Sequence, residues 1–444
     1  MGGQQITENR RGRKNTYAIM CIIGVVCCLV SATSKAQEGY NAKMNIDSMW
    51  IVISAALIYL MQLGFMVIEV ACGRKKNVDT IVLKNVGDWC VSSVVYYFVG
   101  FALMFGTSYN GLFGTTFWLC DGIGTANPRF SWDFFFFQLA FAGTSATIIA
   151  GAMGERTSLW AYLAVIVGVG AFTYPIFGHW AWGTAFLASN KPWLAEMGFV
   201  DFAGSAVVHQ VGAYASLVGI WFVGPRIGRY TSDGRPQSLD SGGLVWFGIG
   251  VFILWFGWLG FNGGSALEYG QNVGYIIVNT DFAGSTGGFT AFVYAYFWQG
   301  KRDMGSKMLG GMLGGLVAIT ACCHVVTPGS ALVIGLVAGV VHNICYEFVL
   351  FRLKLDDVVG ALPVHGACGV LGVLSVALFG DAALLPKKNF IEQLGVQALG
   401  CAVCFIWTVT TTFIILSVVK LIVGLRVPAM EEIEGLRVDG LGDE

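Results

Sequence analysis

Eleven apolar stretches, most of them close to the ~20 residues a helix needs to cross a bilayer, fill nearly the whole chain. They fall at 46–72, 86–106, 134–153, 159–182, 203–224, 242–261, 274–298, 306–323, 329–351, 364–379 and 396–424. Backbone in hydrocarbon must satisfy its own hydrogen bonds, and unbroken apolar runs of this length do so as helices. Composition agrees: 55% of the 444 residues are hydrophobic and 12% are charged, about half the charge of a soluble domain. A soluble enzyme, a disordered chain and a disulfide scaffold are excluded on those grounds. With 26 Lys and Arg against 27 Asp and Glu, no bulk field draws in polyanions, so nucleic acid is not a partner. The expected fold is an all-α polytopic membrane protein of eleven transmembrane helices embedded in a lipid bilayer. Residues 37–425 form its transmembrane domain and 426–444 a C-terminal tail.

The first residues read as a targeting segment. Arg10, Arg11, Arg13 and Lys14 precede an apolar run from Tyr17 to Val30, and Ser34-Lys35-Ala36 follows. A charged region, an apolar core and a small-x-small site make a signal peptide over 1–36; the alternative is one more span. Loop charges orient the rest. Thirteen Lys and Arg follow the odd-numbered windows (Lys84 and Lys307 among them), and four follow the even-numbered ones. The positive-inside rule then places the mature N-terminus outside the cell membrane and the C-terminus in the cytoplasm. A secreted N-terminus is also what a signal peptide produces.

Ionisable residues inside spans are costly and mark function by default. His209 lies in Asp201-Phe-Ala-Gly-Ser-Ala-Val-Val-His209, and His365 in Leu362-Pro-Val-His365-Gly. Each follows Val among small residues, one in the fifth window and one in the tenth. A division of eleven helices into five, five and one makes those windows equivalent, with the second copy inverted. The two histidines could then face one another, or each could simply bond a neighbouring helix. His179 and His324 sit near span ends, and His342 has no evident partner. Asp-Phe-Ala-Gly-Ser recurs at 281–285 and reads as a coincidental echo opening the seventh helix. Cys401 and Cys404 resemble a redox or metal pair, but an apolar run without a second pair favours packing. Aromatic clusters at 134–141, 178–182 and 255–265 suit either interfacial belts or rings that attract a small cation. Gly310-Gly311-Met312-Leu313-Gly314-Gly315 and its like let helices approach closely. No motif calls for a metal or cofactor.

Five motifs, in order, carry a resemblance: Phe136-Phe-Gln-Leu-Ala-Phe-Ala, Gly151-Ala-Met-Gly-Glu155-Arg156, Asp201 to His209, Trp258-Leu-Gly-Phe-Asn-Gly-Gly-Ser265 and Asp356-Asp-Val-Val-Gly-Ala-Leu-Pro-Val-His365. The chain resembles the ammonium transporter (Amt/Mep/Rh) family, in its Amt branch, over about residues 46–436. The resemblance implies two inverted five-helix repeats plus a final helix, in a homotrimer with one pore per subunit and ammonium or ammonia as cargo, and no enzyme activity. It implies that Trp182, Ser265 and Phe141 recruit ammonium outside. Phe141 and Phe261 would close the pore, with His209 and His365 lining it and Trp258 beside them. Asp201 would shape the vestibule. The tail departs from the family: Arg437 and Leu441 stand where aspartate and histidine are usual, which weakens the expectation of a PII-type regulator docking there. The alternative on the same scaffold is an ammonium sensor signalling through its tail.

Overall fold

The computed structural model describes residues 42–127 and 129–436. The signal segment 1–36, residues 37–41, Arg437 and Leu441 lie outside the described residues. The chain divides after Asp47; residues 42–47 are helical, and the helical bundle described below belongs to the unit from Ser48 onward. The long helices are α1 (Lys43–Cys72), α2 (Lys75–Phe105), α3 (Trp132–Ala152), α4 (Leu159–Trp182), α5 (Ser205–Val223), α6 (Leu244–Gly264), α9 (Pro328–Leu353), α10 (Leu362–Phe379) and α11 (Phe390–Ile422). Between α6 and α9 lie α7 (Gln271–Trp298) and α8 (Met304–Thr320), and Ala429–Glu434 forms a short α12. Local signals set several starts. Ser158 caps α4, Thr327 caps α9 ahead of Pro328, and Asn389 caps α11; each side chain accepts from a first-turn N–H that the helix leaves free.

Nine of these helices are long and apolar enough to cross a membrane, among the described residues. The other two expected spans fall short of that measure. The eighth has only 17 residues, and α7 carries Asn279, Thr280 and Asp281 at its middle. Neighbours serve those polar groups: Asn279 donates to the Cys323 and Val326 carbonyls at 2.9 and 2.8 Å, and Asn262 donates to Thr280 at 2.9 Å. Small residues bring α7, α8 and α9 into backbone contact. A Cβ on Gly287 would stand 2.5 Å from the Gly311 carbonyl oxygen. In lipid, close packing of this kind substitutes for the missing hydrophobic drive between helices.

Several expectations change. Lys84 and Lys307 are not loop residues: both are buried inside helices, and Lys307 pairs with Glu347 at 2.7 Å. The second Asp-Phe-Ala-Gly-Ser lies within α7 rather than opening a helix. His179 is buried, not interfacial. Its ring nitrogens lie 2.8 Å from the Met104 carbonyl and 2.8 Å from the Ser108 hydroxyl, tying α4 to the hairpin β1 (Ser108–Tyr109) and β2 (Phe113–Gly114). His342 does have a partner, Asn343 Oδ1 at 3.0 Å. Cys401 and Cys404 are buried free thiols packed in α11.

The end of the bundle nearest α12 is tied by one charged knot. Glu155, after α3, accepts from the Arg74 backbone and guanidinium at 2.8 and 2.9 Å, from Asn77 at 2.7 Å, and from Arg226. Arg226, after α5, also grips Asp356 before α10, at 2.7 and 2.9 Å. Arg156 donates to the carbonyls of Gly224 and Asp356 at 2.8 and 2.7 Å. Glu432 of α12 accepts from Ile227 N–H at 2.7 Å and from Arg426 at 2.8 Å. Burial pushes the Glu155 carboxyl up, but the Arg226 and Arg74 guanidiniums outweigh it and hold Glu155 below its usual value. Burial is likewise overcome at Asp356, which Arg226 and Arg156 hold well down. Both folded values lie below the unfolded ones, so their stabilisation is complete above the ordinary carboxylate range and is lost as pH falls through the folded values. Thermal unfolding of the purified protein against pH should therefore show steep loss on the acid side. Asp356→Asn should cost about 1–3 kcal/mol near neutral pH, because the buried Arg226 guanidinium keeps only Glu155 as a carboxylate partner, and should flatten the acid limb. An unchanged pH profile would contradict this role for Asp356.

Candidate functional site

Two helix openings build the centre of the bundle. α5 and α10 run antiparallel: Ser205 lies against Gly369 and Gly372, while Ala213 lies against Gly366. Each begins with a widened π-helical turn, Ser205–Gln210 and Leu362–Ala367. A carboxylate caps each turn. Asp201 accepts from the N–H groups of Gly204, Ala206 and Val207 at 3.1, 2.9 and 2.9 Å; Asp357 accepts from those of Ala361 and Leu362 at 2.9 and 2.8 Å. Burial pushes the Asp201 carboxyl up to about 6, against the pull of these N–H donors, and burial also raises Asp357. The chain enters each helix through a left-handed glycine, Gly204 at φ +110° and Gly360 at φ +76°, a conformation open to glycine and costly for most other residues.

Both segments therefore read Asp-x-x-Gly-x-x-x-Val-His, at 201–209 and 357–365. Because the helices oppose each other, the same spacing counted from opposite ends brings the two histidines together. Their Nδ1 atoms lie 3.1 Å apart and their rings are near parallel at 16°. One Nδ1 must donate and the other accept, so the pair shares a proton across that contact. His209 Nε2 is buried without a partner among the described residues.

A file of rings continues from the pair. His209 stacks on Trp258 at 5.2 Å and on Phe261 at 5.5 Å. Phe261 stacks on Phe141 at 4.2 Å, and Phe141 meets Trp182 edge-on at 5.9 Å. Phe141, Phe261, Trp258, His209 and His365 are all buried, whereas Trp182 and Ser265 are partly open. Trp258 is pinned by its N–H to Thr320 at 2.9 Å, and Trp182 by its N–H to the Asp201 carbonyl at 2.6 Å. Ser265 donates its hydroxyl proton to the Phe261 carbonyl at 2.8 Å, which leaves its oxygen free to accept. A ring face beside a lone-pair oxygen suits a small cation that donates hydrogen bonds. Behind it lie two stacked rings and two buried imidazoles in Nδ1 contact, an apolar lining that carries ring nitrogens able to hydrogen-bond.

All eight residues singled out from the sequence thus belong to one connected group. Asp357 is the member that the sequence reading passed over. Its signal was the Asp-Gly-His spacing shared with Asp201, which the closer but unrelated copy of Asp-Phe-Ala-Gly-Ser obscured.

The chain matches the model of the Ammonium Transporter Family over residues 49–444. It is 37% identical to ammonium transporter Amt2 of Archaeoglobus fulgidus over 441 residues, covering 94% of this chain and 93% of that protein. It is 32% identical to ammonium transporter Amt1 of Haloferax mediterranei, across 89% of this chain and 78% of that one. Among solved structures it is similar to a protein titled Sensor Amt Protein, with TM-score 0.88, 40% identity, and 90% and 99% of the two chains covered. It is also similar to Mep2 of Candida albicans, with TM-score 0.79, 26% identity and 87% of each chain covered.

Asp201→Ala and Asp357→Ala should have matched local effects. Each removes a buried cap, at about 0.5–2 kcal/mol or more, and loosens the turn that aims its histidine. Hydrogen exchange should speed up at the amides of 204–207 in the first variant and of 361–362 in the second. Unchanged protection in both would show that the carboxylates do not hold these turns.

Proposed function

The chain belongs to the ammonium transporter family, and from that premise we propose that it draws ammonium to Trp182, Ser265 and Phe141, removes a proton, and conducts ammonia past Phe141 and Phe261 along His209 and His365. The observation that carries this reading is the histidine pair in Nδ1 contact behind a closed stack of two phenylalanines. Ammonium near neutral pH is a cation of about potassium's size, and crossing so dry a path with its charge would cost many kcal/mol. Loss of one proton at the ring stack removes that cost. Ammonia then bonds to the imidazoles, whose buried ring nitrogen has a lone pair or a proton to offer. Potassium has no proton to surrender and stops at the stack, so selection rests on chemistry rather than on size.

The architecture that goes with this reading has α1–α5 and α6–α10 as inverted repeats, all eleven helices spanning the membrane, and α11 last. Residues 37–425 make up the transmembrane domain, with the Trp182 end outside and the charged knot and the tail from 426 in the cytoplasm. Three copies form the homotrimer. Trp258 keeps the His209 ring in line, and Asp201 holds the outer turn. The second reading, an ammonium receptor that signals through its tail, draws on the likeness to the solved sensor protein. Docking of a PII-type partner would depend on a tail that departs from the family pattern at Arg437 and Leu441.

Proteoliposomes of the purified chain separate the two readings. Transport predicts a saturable ammonium flux that potassium does not reproduce; specific ammonium binding without flux would favour the receptor. Trp182→Leu should raise the half-saturating concentration by about 2–30-fold, the equivalent of 0.5–2 kcal/mol from one cation–ring contact. Ser265→Ala should act in the same direction. Wild-type affinity in both variants would assign Trp182 to the interfacial belt. Native mass spectrometry in mild detergent should show three copies, and a monomer that retains flux would contradict the trimer.

A further inference from the structure

A second polar group lies buried between α1 and α2. Glu69 of α1 and Lys84, Asn85 and Asp88 of α2 are all buried. Asp88 is occupied by Ser92 at 3.1 Å and Gln62 at 3.3 Å; Asn85 bonds the Ile81 carbonyl at 3.0 Å and Thr147 at 3.2 Å. Lys84 Nζ stands 5.6 Å from the centre of the Tyr162 ring. One acceptor and one donor remain: Glu69 Oε1 and Lys84 Nζ have no hydrogen-bond partner among the described residues. The two make no direct hydrogen bond to each other. An orphan donor and an orphan acceptor at this depth cost several kcal/mol unless something polar joins them, and a water suits the need. Two carboxyls against one amine also make this a group that is neutral only with one added proton.

Its position relates it to the histidines. Phe65, one turn before Glu69 on α1, has its ring 6.1 Å from that of His365. A Cβ on Gly151 would touch both the Glu69 side chain, at 3.2 Å, and Val359, at 2.8 Å; Val359 lies in the segment leading from Asp357 into α10. One turn beyond Glu69, Arg74 enters the knot around Glu155. Glu69 thus stands between His365 and that knot. The groups around it are Lys84, Asn85 and Asp88 from α2, Cys72 on its own helix and Tyr162 from α4.

We propose that Glu69 is a proton relay: through water held against Lys84, it takes from the histidine pair the proton that ammonium loses at the ring stack and passes it toward the Glu155 end, while ammonia leaves separately. The inference rests on the transport reading above. In the step, an N–H bond of ammonium breaks at the ring stack and its proton passes to the imidazole pair behind it. The pair gives up a proton through water to the Glu69 carboxylate, where an O–H bond forms. That bond breaks again to water on the inner side, where the proton rejoins ammonia. No electron changes hands, and ammonium is regenerated with its charge.

The test measures two quantities in the same proteoliposomes: ammonium-driven current and the pH of the lumen. Wild-type protein should carry ammonium-dependent current. Glu69→Gln should lower that current about tenfold or more, as expected for loss of a positioned proton acceptor, while ammonia still enters and turns the lumen alkaline. Lys84→Met should act likewise, and Glu69→Asp should restore part of the current. Wild-type current in Glu69→Gln, or wild-type ammonia flux without any current, would overturn the relay and leave the histidine passage standing. A wild-type chain with neither current nor ammonia flux would overturn both.

Discussion

A polar group without a partner in the hydrocarbon core costs several kcal/mol, and that cost shapes the polar positions around the histidine pair. Helix starts that enter the protein interior are capped by Asp201 and Asp357. The indole N–H groups of Trp182 and Trp258 are each spent on a fixed acceptor. Even Arg156 has its guanidinium turned inward and spread over backbone carbonyls from three segments. Where so much is satisfied, the groups left open stand out. Among them, in the described residues, are His209 Nε2, Glu69 Oε1 and Lys84 Nζ, which with the accepting oxygen of Ser265 lie on the proposed routes of ammonia, the proton and ammonium.

The two halves of the site are the same device used twice. An aspartate, a left-handed glycine three residues on and a histidine five further place an imidazole just inside a widened helix turn. Two copies on antiparallel helices meet ring to ring. Neither half could give the Nδ1–Nδ1 contact alone, and a slip of one residue in either helix would turn its histidine by about 100° away from its mate. The charged knot supports this alignment. Arg226 joins the end of α5 to Asp356, the residue beside the α10 cap, so the far end of one histidine helix is fastened to the beginning of the other.

Much of this was legible in the sequence because hydropathy reports burial in lipid directly. The helical fold, nine of the spans and the matched histidines follow from windows and position. Hydropathy failed where polar residues are served by neighbouring helices rather than by solvent. Lys307 looked like a loop charge because its partner Glu347 is far away in sequence, Lys84 because it lies just ahead of its apolar window, and α7 hides its Asn279 and Thr280 against the segment after α8 and against α6. His179 looked interfacial because the small hairpin that buries it is too short to show a pattern. Asp357 escaped notice for a different reason. Its role depends on a spacing within a repeat, and spacing is faint when the intervening residues differ as much as Phe-Ala-Gly-Ser-Ala-Val and Val-Val-Gly-Ala-Leu-Pro.

The central claim is that His209 and His365 work as one unit. It is tested most directly by ammonium and potassium currents in proteoliposomes bearing His209→Ala, His365→Ala and both together. The account predicts that each single change abolishes most ammonium-specific conduction and that the double change costs little more, as for two groups that share one proton. Single variants that conduct ammonium normally and still exclude potassium would contradict it, as would losses that simply add.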